Sequence, residues 1–187
     1  MTYYYVTNYF TDKKMVLRFR FLFLLFIHFF KRTIGILDEN TLEFRVLFND
    51  IDIKRMSSDR YLPIMDLGRI NIILQAGLLR TFIKNKWVPV SKVATIRYKY
   101  PLKFFQKYTL KSRIIYWDEE WVWTEHRFQK SGKTTTVGIS KITFLGSKGI
   151  VPISDVIEAY GHPVARIQMP DVIKELMKVE LSMKDPQ

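Results

Sequence analysis

Cysteine is absent from all 187 residues. That removes a disulfide framework, a thiol nucleophile and any zinc site built on thiolates, and it fits a reducing, cytoplasmic setting. Histidine occurs only three times, without ligand spacing, so neither a metal centre nor a resident cofactor is expected. No internal repeat and no low-complexity tract is visible. The strongest apolar run, FLFLLFIHFF within residues 15–32, falls short of the roughly 20 residues a spanning helix needs. Lys31 and Arg32 follow it instead of a small-residue cleavage site, so a cleavable signal peptide is not expected. Acid is the scarcer charge: 18 Asp and Glu stand against 30 Lys and Arg, a net charge of +12. Such a surplus attracts nucleic acid, anionic lipid or phosphate-bearing small molecules. Zinc-finger spacing, a basic helix running into heptads and an RNA-binding aromatic signature are all missing, so no specific nucleic-acid partner is expected.

What is present suits one domain with extensions, since 48% of the residues are hydrophobic. We divide the chain into an N-terminal extension with an apolar, basic helix (1–33), a central domain (34–162) and a helical tail (163–187). Two readings of residues 15–32 stand side by side. The segment lies in a membrane interface at the inner face of a membrane, with Arg18, Arg20, Lys31 and Arg32 meeting anionic headgroups, or it docks on its own domain or a partner subunit.

Leu42, Phe44, Val46 and Phe48 alternate with Glu43, Arg45 and Leu47, the pattern of a strand. Asp50 and Asp52 close that run; for Asp50 a solvated strand end or Asx-turn is expected. SSD at 57–59 supplies helix N-cap types, and the apolar residues from Leu62 to Ile83 leave little polar face, which predicts one long enclosed helix. From Trp87 the period changes to two, with turns expected at Asp118–Glu120 and Ser131–Lys133. Two short helical pieces end the chain. The expectation is an α+β fold in which a curved antiparallel sheet wraps one central helix.

Four pieces carry a family resemblance: FRVLFNDIDI (44–53), RYLPIMDLGRINIIL (60–74), the stretch 94–128 and KGIVPISDVIEAYG (148–161). DxD, YLxxMDxGR and RxxxPLxxFQxxxL occur in order. Over residues 34–162 the chain resembles the hotdog-fold acyl-CoA thioesterases of the 4-hydroxybenzoyl-CoA-thioesterase-like superfamily. The resemblance implies a homodimer with active sites at the subunit interface, an acyl chain between helix and sheet, and Asp52 as general base or nucleophile. The substrate would be a fatty acyl thioester of coenzyme A or acyl carrier protein.

Such hydrolysis needs an activated water or a direct nucleophile, and donors for the developing oxyanion. The first turn of a buried helix offers free amides and a positive dipole end. The amides around Ser57, Ser58 and Arg60 are the expected donors, and Asp66 is expected to orient the substrate or to pair with Arg69 three positions on. Arg97, Lys99, Lys103 and Lys107 are candidates for the coenzyme A phosphates, with a solvated sheet face as the plainer role. Trp117, Trp121 and Trp123 read as packing residues. His126 sits on a strand with no serine–aspartate arrangement in view, and His162 in a GHP turn.

The chain departs from the pattern at one place. Where these relatives usually read N-G-H-M-N-N-G, it has IKRMSSD (53–59), one residue shorter and without the histidine. The alternative reading is therefore a catalytically degenerate hotdog that binds acyl-CoA or lipid, or serves as a dimeric interaction module. A hotdog dehydratase fits less well, since it depends on that histidine.

Overall fold

The computed structural model describes residues 15–28 and 33–183; the expectations for residues 1–14, Lys31 and Arg32 lie outside them. Helix α1 (Met15–His28) precedes strand β1 (Asn40–Arg45) and a 3-10 turn at Phe48–Asp50. A minimal hairpin follows, β2 (Ile51–Asp52) against β3 (Arg55–Met56). Then come α2 (Ser58–Gln75), α3 (Leu79–Asn85), β4 (Val88–Tyr98), β5 (Lys107–Trp117), β6 (Val122–Lys130), β7 (Lys133–Gly146), β8 (Gly149–Val151), α4 (Ile153–Tyr160) and α5 (Asp171–Ser182).

The long strands form one antiparallel sheet in the order β1-β5-β6-β7-β4, with β8 also paired to β7. Both expected turns join neighbouring strands. In the first, the Asp118 carboxylate accepts from the Glu120 and Trp121 amides at 3.1 and 2.8 Å. In the second, Gly132 takes φ +77°, which side chains disfavour. Register irregularities at Ser91/Val93, Ile114/Tyr116 and Phe128/Gln129 interrupt the pairing, and such bulges add local bend and twist.

Helix α2 lies against this sheet and buries Tyr61, Ile64, Met65, Leu67, Ile72 and Leu74. Its extent differs from expectation. The apolar run continues to Ile83, but α2 stops at Gln75 and the chain turns through 101° into α3. Gly77 at φ +74° makes the stop: its amide bonds the Leu74 carbonyl at 2.9 Å, and the Leu78 amide bonds that of Ile73 at 3.1 Å. This is a Schellman termination, which apolar periodicity cannot reveal.

Helix and sheet approach closely at two glycines. A Cβ on Gly68 would stand 2.4 Å from Ser112 Oγ, and one on Gly138 would stand 2.6 Å from Met65 Sδ. On the other side of the sheet, α5 seats Ile173 against Ile115 and Trp123, and Lys141 joins Glu180 at 2.7 Å. Gly68→Ala is expected to destabilise the protein by about 1–3 kcal/mol, because overpacking outweighs the helix propensity gained. Urea unfolding of the variant against the parent measures this; unchanged stability would mean the contact is loose.

Candidate active site

Asp50 anchors the acid-bearing turn. It is buried rather than solvated, because Arg20 of α1 reaches it: Arg20 Nη1 donates to Asp50 Oδ1 at 2.9 Å, and a second, shorter contact joins Nη2 to Oδ2. The same guanidinium donates to the Arg45 carbonyl at 3.1 Å. Asp50 Oδ2 also accepts from the Leu47 amide at 2.9 Å, and the Asp50 carbonyl accepts from the Ser57 amide at 2.8 Å. This overturns two expectations. Arg20 points into the domain instead of toward headgroups, and Asp50 is the inner member of the DxD pair. A buried, charge-assisted pair of this kind fixes geometry, since losing either partner strands a charge.

Asp52 takes the other side of the turn. It lies exposed on β2, opposite Arg55, with the Lys54 amide bonded to its carbonyl at 2.6 Å. Ile53, the first residue of the two-residue turn, adopts φ +56° and is 88% exposed. A β-branched residue is strained in that left-handed region. The Ile51–Met56 segment thus closes as a tight hairpin that demands a positive φ, and the sequence supplies an isoleucine there.

Ser57 is the N-cap of α2 by its extended backbone, but its side chain makes no capping bond. Its amide is spent on Asp50, and the Arg60 amide bonds the Ser57 carbonyl at 3.1 Å. Among the described residues the Ser58 and Asp59 amides at the helix tip have no hydrogen-bond partner. Asp66 sits about 12 Å further along the helix, eight residues at 1.5 Å each, and engages Arg69. Of the four candidate bases Lys103 is tied to the Asp52 hairpin, whereas Arg97 and Lys107 adjoin the inward-facing Tyr98 and Tyr108 and so alternate to the outer face of the sheet. Met56 bonds the Leu102 carbonyl at 2.7 Å, Arg55 bridges to Lys103, and Lys107 pairs with Arg45. Tyr98, beside Arg97 and Lys99, donates to the Ser58 carbonyl at 3.4 Å. Arg97, Lys99, Lys103 and Lys107 are all exposed.

The surface around the hairpin is strongly apolar. Phe48 is 80% exposed and meets Phe104 edge-on at 6.5 Å, and Phe104 meets Phe105 at 5.8 Å. Arg45 lies over the Phe105 ring at 4.2 Å.

Two further features escaped the sequence. The first is a cavity of about 50 Å³ between α2 and the sheet, lined by Ile72, Phe82, Ile114, Val122, Ile142 and Val156 among others. It adjoins the C-terminal half of α2 and does not reach Asp52. The second is a polar cluster under Gly68. His126 Nδ1 meets Ser112 Oγ at 2.9 Å, Nε2 meets Thr124 Oγ1 at 3.1 Å, and Thr124 meets Ser140 Oγ at 2.7 Å. Arg69 Nη1 donates to the same serine at 3.0 Å. Burial, then the Arg69 charge, hold the His126 imidazole well below its ordinary pKa. The pairing of a serine with a histidine does not make a nucleophile here: all four strand residues are buried, and Gly68 covers the pair too closely for a substrate to enter. The alternation of β5–β7 carried the signal, because it turns residues 112, 124, 126 and 140 inward, but nothing in the sequence shows them meeting.

With this geometry in view, comparison with known proteins identifies the family. Residues 30–175 match the sequence family described as the thioesterase-like superfamily. The chain belongs to that family. It is 25% identical over 136 residues to protein THEM6 of Drosophila melanogaster, covering 71% of this chain and 68% of that protein. It is 32% identical over 120 residues to the probable thioesterase YBR096W of Saccharomyces cerevisiae, covering 59% of this chain and 51% of that one. The chain thus spans from about half to two thirds of the length of these relatives. Among solved structures it resembles a gentisyl-coenzyme A thioesterase, BH1999, with a TM-score of 0.57 at 24% identity over 66% of this chain and all of the other. A 1,4-dihydroxy-2-naphthoyl-CoA thioesterase from Synechocystis gives 0.57 at 12% identity, covering 67% of this chain and all of that one. The fold is the hotdog fold.

Two outcomes follow. Ile53→Gly relieves the left-handed strain and is expected to raise the unfolding free energy by about 1 kcal/mol; a lower thermal midpoint would contradict the turn geometry. His126 is buried neutral, while the unfolded chain protonates it below about pH 6.5. Stability is therefore fully present above that pH and falls by about 1.4 kcal/mol per unit below it, until the depressed folded pKa is reached. Urea midpoints between pH 7.5 and 5.5 read the slope, and His126→Gln should flatten it.

Proposed function

We propose that this protein hydrolyses fatty acyl thioesters as a homodimer, with Asp52 as general base or nucleophile. The carrying observation is the placement of Asp52: it lies on a turn fixed through Asp50, at the tip of an enclosed helix whose Ser58 and Asp59 amides are open. As base, Asp52 takes a proton from water while the water oxygen attacks the thioester carbonyl carbon. The two amides and the helix dipole hold the resulting oxyanion. Collapse breaks the carbon–sulfur bond, and the departing thiolate recovers the proton from the Asp52 carboxyl. As nucleophile, the carboxylate displaces the thiolate itself and water cleaves the mixed anhydride.

The single chain leaves Asp52 exposed, which suits a site completed by a second copy. Phe48, Ile53, Phe104 and Phe105 surround it with exposed apolar surface, the mark of a contact face. Strand β4 adds an unpaired sheet edge of 11 residues. The cavity between α2 and the sheet is almost wholly apolar in its lining, but at about 50 Å³ it has room for a short hydrocarbon segment only, and it lies apart from Asp52. Lys103, bridged to Arg55 of the hairpin, offers charge for the phosphates of coenzyme A or the acidic surface of a carrier protein, and Arg97, Lys99 and Lys107 add exposed charge elsewhere on the sheet.

A second reading has its own observation. The cavity stops short of Asp52, and the turn that carries Asp52 is strained, which favours a hotdog that binds acyl thioesters without turning them over. Purified protein assayed with acyl-CoAs of graded chain length separates the two. Turnover that drops by about 10²–10⁴-fold in Asp52→Asn supports hydrolysis. Tight acyl-CoA binding with no turnover in the parent protein establishes the binding module instead.

A further inference from the structure

Helix α1 has two distinct faces. Leu24 is buried in the core cluster, Phe21 and Leu25 pack beside it, and Arg20 is committed to Asp50 and lies 5.6 Å from the Phe44 ring centre. Phe19, Leu22, Phe23 and Phe26 point the other way and are each 59–65% exposed. Their spacing of three, four and seven residues makes one continuous stripe along the helix. The inner face is already satisfied, so this stripe is not core awaiting its own domain.

Its charge setting identifies the occupant. From residue 13 to residue 37 the sequence holds no Asp or Glu, whereas Lys13, Lys14, Arg18, Lys31 and Arg32 bracket or join the stripe in sequence. Two copies of so basic a segment would repel across a symmetric contact, while anionic headgroups would neutralise it. The described part of the helix has 14 residues, about 21 Å at 1.5 Å each, against a hydrocarbon core of roughly 30 Å. No single described helix is long and apolar enough to cross a membrane.

We infer that α1 is an interfacial anchor that lies flat on an anionic lipid surface, with Phe19, Leu22, Phe23 and Phe26 entering the headgroup–acyl boundary. Arg20 is the tether rather than a headgroup ligand. It ties the anchored helix to the turn two residues before Asp52, so the acid-bearing end of the domain is held near the bilayer. The anchoring stands independently of whether Asp52 is catalytic.

Vesicle co-sedimentation of the full chain tests it. The protein is expected to pellet with phosphatidylcholine vesicles containing about a third phosphatidylserine, and to stay in solution with phosphatidylcholine alone or in ~1 M salt. Phe19→Glu with Phe23→Glu is expected to weaken binding by ~10-fold or more, with circular dichroism and melting midpoint as in the parent. Should that pair misfold, Phe19→Ala with Phe23→Ala should still weaken binding in the same direction. Failure of the parent to bind anionic vesicles, or undiminished binding by a folded stripe variant, overturns the inference. So does a stripe variant that changes only the sedimentation mass, which would assign the face to a second copy.

Discussion

A helix that must bury most of its residues is stable in water only when something encloses it, and α2 imposes this requirement on everything around it. The sheet meets the requirement by curling, and the curl needs both the interruptions in strand pairing and the two places where glycine lets helix and strand touch. At Gly68 the helix backbone comes down onto Ser112 and His126, and at Gly138 the sheet makes room for Met65. Side chains at either point would hold the layers apart. The buried polar cluster under Gly68 is tolerated because its members satisfy one another: the imidazole stays neutral, and Ser112, Thr124 and Ser140 supply its partners.

Enclosure also decides where chemistry can occur. Once α2 is wrapped, only its tip presents backbone donors outward, and the Phe48–Met56 segment is what reaches that tip. Asp50 organises the segment from inside, drawing on a base from α1 that is remote in sequence. The N-terminal helix therefore joins the architecture of the candidate site while carrying an apolar stripe on its other side. The Arg20 guanidinium joins α1 to the acid-bearing turn, alongside the packing of Phe21, Leu24 and Leu25 into the core.

Much of the architecture was legible. Period-two alternation from Trp87 onward, Ser131-Gly132 at a turn and the apolar density of residues 62–74 led to the sheet-around-helix arrangement, because these patterns report which face each residue buries. The end of α2 was not legible: the hydrophobic run continues past Gln75, and only the left-handed Gly77 with its two hydrogen bonds stops it. In the site, the DxD motif marked the right loop but not the division of labour within it. Nothing local to Asp50 says that it is buried, since its partner lies 30 residues away. His126 showed the same limit, since Ser112 and Ser140 arrive from the two neighbouring strands and only Thr124 lies on its own.

The sequence by itself determined the repeating elements, the enclosed character of the central helix and the basic balance of the surface, all of which follow from composition and period along a single chain. Only the tertiary structure decided which aspartate turns inward, which helix-tip amides stay open and which face of α1 meets solvent. Those outcomes depend on contacts between distant segments, and hydrogen bonding and burial at such contacts are set by geometry that no local pattern encodes.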